Sequence, residues 1–300
     1  QIMAPVGAGL LMGLTGLQGI LLIDIATFLV AMGTLALVRL PAVQPLATHH
    51  TAAPFRRQLT FGFRYIFQRP GLIGLLVIFM GINLCAALTY YSILSAMILA
   101  RTGGNEVALS IVQALLGVGG VLGGVVVSVR GLPRRKIHAI FGYTGVSFLL
   151  GDFLLAIGRT VPAWGVAAVL GAFFIPFIVA ADRTIWQSKV EPALQGRIFA
   201  VQGMLRNCFF PIGFLLAGPL ADQIFEPAMQ AGGAWAGRFG WLVGTGPGAG
   251  MALMFVGTAA LGATMSFSGY LWPAVRNVEH DLPDYDSRLP EGEEIVAQAG

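Results

Sequence analysis

The sequence predicts an all-α membrane protein, a polytopic bundle of about eight transmembrane helices. Three observations predict it. Hydrophobic residues make up 56% of the 300 and charged residues only 11%, against about 25% charged in a soluble domain. The apolar residues fall in long runs, and a bilayer core needs about 20 of them in a helix. Arginine and lysine fall almost entirely on alternate links between those runs, as the inside-positive bias of membrane proteins requires.

The candidate spans are 2–17, 19–38, 71–99, 107–129, 137–156, 161–181, 198–221 and 242–272. The chain opens on Gln1 and is apolar from Ile2, so the first span reads as a helix entered part-way, with no signal peptide before it. Between the second and third spans lies a long link, 39–70. Within it Phe55, Leu59, Phe63 and Phe67 recur every four residues, with Arg56, Arg57 and Arg64 off that stripe. This pattern predicts an amphipathic helix at the interface. The links carrying Arg39, Arg56, Arg57, Arg64, Arg69, Arg130, Arg134, Arg135, Lys136, Arg183, Lys189, Arg197, Arg276 and Arg288 are placed in the cytoplasm. Only Arg101, Arg159 and Arg238 fall outside. The tail 273–300 holds seven acids against two arginines, about −5, and the body is about +9; acids weigh little in the orientation rule. The chain thus divides into 1–38, two spans of an amino-terminal half; 39–70, a central cytoplasmic loop; 71–272, a six-span carboxy-terminal half; and 273–300, an acidic cytoplasmic tail. Six spans after a long central loop are the layout of half a transporter.

Four stretches resemble the major facilitator superfamily, the twelve-span secondary transporters, and most of all its drug-efflux branch of macrolide and siderophore exporters. Residues 23–28 (IDIATF) resemble that branch's sixth span. Residues 124–136 (GVVVSVRGLPRRK) resemble the loop between spans eight and nine, with Ser128 where the family has an acid. Residues 186–199 (WQSKVEPALQGRIF) resemble the loop between spans ten and eleven, and 218–222 (GPLAD) the exit of span eleven. The resemblance covers the chain as spans five to twelve. It implies a secondary transporter of the plasma membrane, the inner membrane where there are two. Proton-coupled efflux of an amphipathic small molecule by alternating access is implied, with an amino-terminal half preceding the chain. It also implies gate roles for two loops, through Arg130, Gly131, Arg134 and Arg135 and through Gln195, Gly196 and Arg197. The plain alternative for both loops is a topology anchor, since cations suit a helix's carboxy end and anionic lipid.

Ionisable residues inside spans carry the sharper expectation, because placing one in lipid costs at least about 2.5–3.5 kcal/mol. Arg206 lies nine residues past Arg197, about 13 Å deep at 1.5 Å per residue. It is expected to face the central cavity and meet substrate or an acid. Asp152 and Asp24 lie near the outer side and are candidate proton carriers or helix–helix hydrogen-bonding groups. Asp182 and Arg183 are expected to pair at a cytoplasmic helix end. Asn83, Gln113, Asn207 and Tyr90 are candidate cavity residues, since apolar and aromatic walls with a few polar groups suit bulky ligands. The glycine run 117–124 (GVGGVLGG) sits inside a span with no strand before it, so it is not a nucleotide loop. Gly119 with Gly123, and Gly120 with Gly124, are instead expected to allow close helix approach.

Cys85 and Cys208 sit in apolar runs, and His49, His50, His138 and His280 are dispersed. No catalytic set, metal set or cofactor motif results, so the chain is not read as an enzyme. Nor is a nucleic-acid partner expected. The rival to a transporter is a non-transporting membrane module, anchored to or fused with a biosynthetic enzyme.

Overall fold

A computed structural model describes residues 19, 22–34 and 55–285, the backbone alone at 55–59. The expected span 2–17 and the tail beyond residue 285 lie outside these. The chain divides into Gln1–Phe55 and Arg56–Gly300. In the first unit, helix α1 (Leu22–Thr34) is apolar, and within it the Thr27 hydroxyl donates to Asp24 O at 2.9 Å.

The second unit is an all-α bundle. Helix α2 (Phe55–Phe67) is followed by α3 (Pro70–Leu88), α4 (Leu94–Thr102) and α5 (Glu106–Arg130). Then come α6 (Lys136–Ile157), α7 (Val161–Lys189), the long broken helix α8 (Pro192–Met229), α9 (Ala236–Val243) and α10 (Ala249–Ser268). Among the described residues, α3, α5, α6, α7, α8 and α10 are long and apolar enough to cross a membrane. The chain is a polytopic helical membrane protein, as its composition predicts.

The span boundaries move for local reasons. The run 71–99 is broken at Thr89–Ile93, where the Thr89 hydroxyl bonds Cys85 O at 3.0 Å and the Ser92 hydroxyl bonds Ala87 O at 2.5 Å. Such back-bonding competes with the helical ladder. Helix α5 begins where Asn105 Oδ1 accepts from Ala108 N at 3.1 Å, a side-chain cap. Helix α7 runs eight residues past the expected end at 181, with an interruption at Phe174 just before Pro176. Helix α8 starts six residues early and bends at Cys208–Phe209. It widens into a π-turn at Leu220–Phe225, directly after Pro219, which has no N–H to give the ladder. Asp222, expected in a loop, is therefore helical. The last span is shorter than 242–272, because Gly244, Gly246 and Gly248 take φ of 82°, 97° and 79°, open to glycine at no steric cost.

Helices α5 and α7 pack along their length. A Cβ on Gly119 would stand 2.4 Å from Val169 O, and one on Gly123 only 2.0 Å from Phe173 O. That is the expected close approach. Gly120 and Gly124 have no such neighbour within 4 Å; they lie a residue around the helix, off the contact. Helix α2 spans the expected stretch; of the apolar stripe, the Phe55 and Leu59 side chains lie outside the described residues, and Phe63 packs against the core. Ile66 is buried and Phe67 exposed, and Gly62 is where α2 approaches Val201 of α8. Phe61, Arg64 and Phe67 turn outward.

The buried core forms two main clusters, one toward each end. Ile66, Leu72, Ile140, Phe141, Trp186, Ile198 and Val278 belong to the end bearing Lys136 and Lys189. Met97, Trp164, Met229 and Phe255 belong to the opposite end.

Candidate functional site: a buried arginine–aspartate pair beside two cavities

Arg206 lies one residue before the end of the first helical segment of α8, and Asp182 lies on the lower part of α7. The Arg206 Nη1 donates to Asp182 Oδ2. The Asp182 side chain is only 2% exposed and that of Arg206 24%, so each charge is neutralised where solvent is scarce. An unpaired charge there costs several kcal/mol, and pairing offsets it. The guanidinium carbon sits 4.0 Å above the Phe79 ring centroid, a cation–π contact. Asn83 Nδ2 donates to Arg206 O at 2.9 Å and to Asn207 Oδ1 at 3.3 Å. Asn83, Arg206 and Asn207 thus converge. The expected Asp182–Arg183 ion pair does not form; continuation of α7 to Lys189 carries Asp182 inward to Arg206.

Arg206 lines two cavities. One, of about 570 Å³, is mixed, with Asp182, Arg183, Gln187, Gln202 and Asn207 in its wall beside Val179, Trp186 and Phe199. The other, of about 210 Å³, is mostly apolar and aromatic, with Phe79, Tyr90, Tyr91, Phe148 and Asp152. Asp152 closes the π-turn Phe148–Asp152 of α6; such turns re-aim side chains within a helix. It makes no hydrogen bond or ion pair to any described residue.

The other predicted residues are dispersed. Gln113 lines neither cavity and reaches Ser95 Oγ at 3.5 Å. Asp24 lies on α1 and is exposed. Arg130 is an exposed end of α5, and Gly131 follows at φ 73°. Arg134 is part of the brief link to α6, and Arg135 precedes that helix. Ser128, at the departure from the family pattern, bonds back to Gly124 O at 2.8 Å. Gln195 Nε2 donates to Gln187 O and Val190 O, both at 3.1 Å, tying the α7–α8 turn. Gly196 has open space around it, and Arg197 is exposed. Among the described residues no group of three His, Cys, Asp or Glu is placed to hold a metal ion.

Sequence reasoning missed the partner role of Asp182. Its signal was available: Asp182 lies seven residues before Lys189, about 10 Å along a helix, the same order of depth as Arg206. The clasp at the end of the bundle was missed too. Lys189 Nζ, 4% exposed, pairs with Asp284 at 2.8 Å and donates to the carbonyls of Glu279 and Leu282. Glu279 Oε2 accepts from Ile137 N at 3.1 Å and Glu279 Oε1 pairs with Lys136 at 3.5 Å.

Bundle and buried pair together define a polytopic helical membrane protein with a charged, cavity-lined interior. The comparisons with known proteins narrow this. Macrolide efflux protein A of Streptococcus pyogenes is 26% identical over 239 residues, covering 74% of this chain and 55% of that protein. Macrolide efflux protein A of Enterococcus faecalis is 25% identical over 228 residues, covering 71% and 65%. The chain therefore spans between about half and two thirds of the length of these relatives. They bear out the resemblance to the drug-efflux branch of the major facilitator superfamily, and they are named as efflux proteins, not enzymes. No family model and no solved structure matches the chain.

Proposed function

We propose that the chain is the larger part of a secondary active transporter that exports an amphipathic small molecule of the drug, macrolide or siderophore kind. Residues 71–272 form its carboxy-terminal half, and residues 1–38 belong to an amino-terminal half completed by further helices. The observation that carries this reading is the Arg206–Asp182 pair, set between a mixed and an aromatic cavity in a chain similar to macrolide efflux proteins. A pair buried only for stability is replaceable by packed apolar residues at little cost. A pair bordering cavities has a second use: a charged or polar substrate group reaching Arg206 displaces Asp182, and the two arrangements suit two states of an alternating-access cycle.

In this reading the aromatic cavity takes the apolar body of the substrate, and Asn83, Asn207 and Tyr90 orient it. Asp152, without an ionic partner and facing that cavity, carries the coupling proton. Arg130–Arg135 and Gln195–Arg197 act as gate loops on the cytoplasmic side, and the carboxy terminus is cytoplasmic in the plasma membrane. Support for that orientation is the distribution of cations over the links. The test is flux: the full-length protein in proteoliposomes, with an imposed pH gradient, is expected to export a macrolide faster than without the gradient. No gradient-driven flux of any amphipathic substrate tried would overturn the reading.

A further inference from the structure

The end of the bundle opposite Lys136 and Lys189 is poor in cations, yet two of them meet there. Arg101, at the end of α4, and Arg159, in the link between α6 and α7, line one cavity of about 540 Å³, together with Gly240, Val243, Thr245 and Ala249. No acidic side chain lines it.

The two guanidiniums differ in freedom. Arg101 is pinned: Nη1 donates to Gly158 O at 2.7 Å and Ala156 O at 3.3 Å, Nη2 to Val243 O at 2.5 Å, and Nε to Gly248 O at 3.3 Å. Its position is set by three chain segments. Arg159 is exposed, and its one hydrogen bond is a long one, Nη2 to Trp241 O at 3.4 Å. Its other donors meet no described residue. Glu226 offsets part of the Arg101 charge from outside the cavity wall; its two oxygens accept from Gly248 N at 3.1 Å and Met251 N at 2.9 Å, so it offers nothing to Arg159. Two like charges thus border one cavity with no carboxylate in its wall, and Arg159 is the one left without an acid. An anion there relieves the repulsion and takes the free donors of Arg159.

We propose that this cavity is an oxyanion site for a phosphate group, with Arg159 as the bidentate donor and Arg101 as the fixed positive wall. A planar guanidinium fork matches two oxygens of a phosphate. The phosphate belongs either to a phospholipid headgroup at the membrane edge or to a free anion, and the two sources are separable. The proposal stands independently of what the protein transports.

Two arms test it on the purified full-length protein. In delipidated detergent solution, inorganic phosphate is titrated and thermal unfolding followed, with sodium chloride at matched ionic strength as reference. In nanodiscs of phosphatidylglycerol or phosphatidylcholine, the lipids retained on release are counted by native mass spectrometry. The wild type is expected to be stabilised by phosphate beyond the chloride reference, to retain phosphatidylglycerol in preference, or both. Arg159→Gln weakens whichever effect is seen by about tenfold or more, as loss of a charge-assisted contact does. Arg159→Lys keeps part of it, and Arg238→Gln, a nearby cation outside this cavity, keeps all of it. A response in the first arm alone identifies a free anion, and in the second alone a headgroup. A wild type indifferent in both arms, or an Arg159→Gln protein matching the wild type in both, overturns the site.

Discussion

Lys189 Nζ and Asp284 Oδ1 stand 2.8 Å apart, joining the end of α7 to a segment 95 positions further along the chain. The lysine is almost fully buried, and Glu279 and Leu282 supply carbonyls to it as well. Glu279 in turn caps the start of α6. The segment after α10 is thus strapped over the ends of α6 and α7. Lys189→Met takes the Nζ donor from two carbonyls and removes one of the groups that hold the Asp284 carboxylate, and is expected to destabilise the fold by about 1–3 kcal/mol. A thermal-unfolding midpoint equal to that of the wild type would show the strap to be inert.

The same contact sets a pH dependence. The hydrogen bond from Lys189 holds the Asp284 carboxyl below its ordinary value. A carboxyl lowered in the folded state contributes stability above its unfolded value, near 3.9, and loses it as pH falls through the folded one. The contribution is therefore constant from pH 5 to 8 and disappears only below about pH 4. Asp284→Asn removes that acid-side decline and leaves the neutral-pH slope unchanged, as read from unfolding midpoints across pH. Because Asp284 is more than half exposed, solvent screening keeps the effect small.

Arg206→Ala leaves Asp182 buried and unpaired, and Asp182→Ala does the same to Arg206. Breaking such a pair from one side costs about 3–5 kcal/mol. The double change Arg206→Leu with Asp182→Leu is expected to recover most of the stability but none of the transport. Size-exclusion profiles and unfolding midpoints of the three variants check the first statement, and flux checks the second. A double variant less stable than both single ones would mean the pair is not the unit that matters.

Gly123 and Gly124 differ by one residue and by their surroundings. A side chain on Gly123 meets the Phe173 carbonyl, which is backbone and cannot step aside, while Gly124 has open space. Gly123→Leu forces α5 and α7 apart, at about 1–3 kcal/mol or more. Gly124→Ala is neutral or slightly stabilising, because alanine favours helix over glycine by about 1 kcal/mol. Unfolding midpoints of the two variants decide between them.

How much was legible follows from scale. The spans announce themselves by composition, since lipid demands apolar runs of about 20 residues whatever the packing. Arg206 was legible for the same reason: a cation deep in an apolar run needs an explanation. The interruptions at Thr89, Phe174 and Pro219 turn on single hydroxyls and missing N–H groups, whose effect depends on what packs beside them. The choice of Gly119 and Gly123 over Gly120 and Gly124 as the contact depends on how α5 is rotated toward α7, which spacing alone leaves open. Asp182 was misplaced because its sequence neighbour Arg183 offered a nearer partner; adjacent helical residues do not face each other, and that rule pointed away from the pair.

Asp152 offers the most direct test of the proposed proton coupling. It faces the aromatic cavity from a π-turn and has no hydrogen bond or ion pair among the described residues. A structural carboxylate in a membrane is ordinarily paired, since the unpaired charge is expensive. A carboxyl that gains and loses a proton during each cycle needs instead to be free of a permanent partner. Asp152→Asn keeps the size and polarity of the side chain but removes the titration. The variant is expected to fold, to bind substrate, and to exchange labelled for unlabelled substrate across the bilayer. Its net efflux is expected to lose the acceleration that an imposed pH gradient gives the wild type. Exchange and gradient-driven efflux measured in the same proteoliposomes separate these outcomes. If Asp152→Asn responds to the gradient as the wild type does, the coupling proton is carried elsewhere, and Asp152 serves the cavity only as a polar wall.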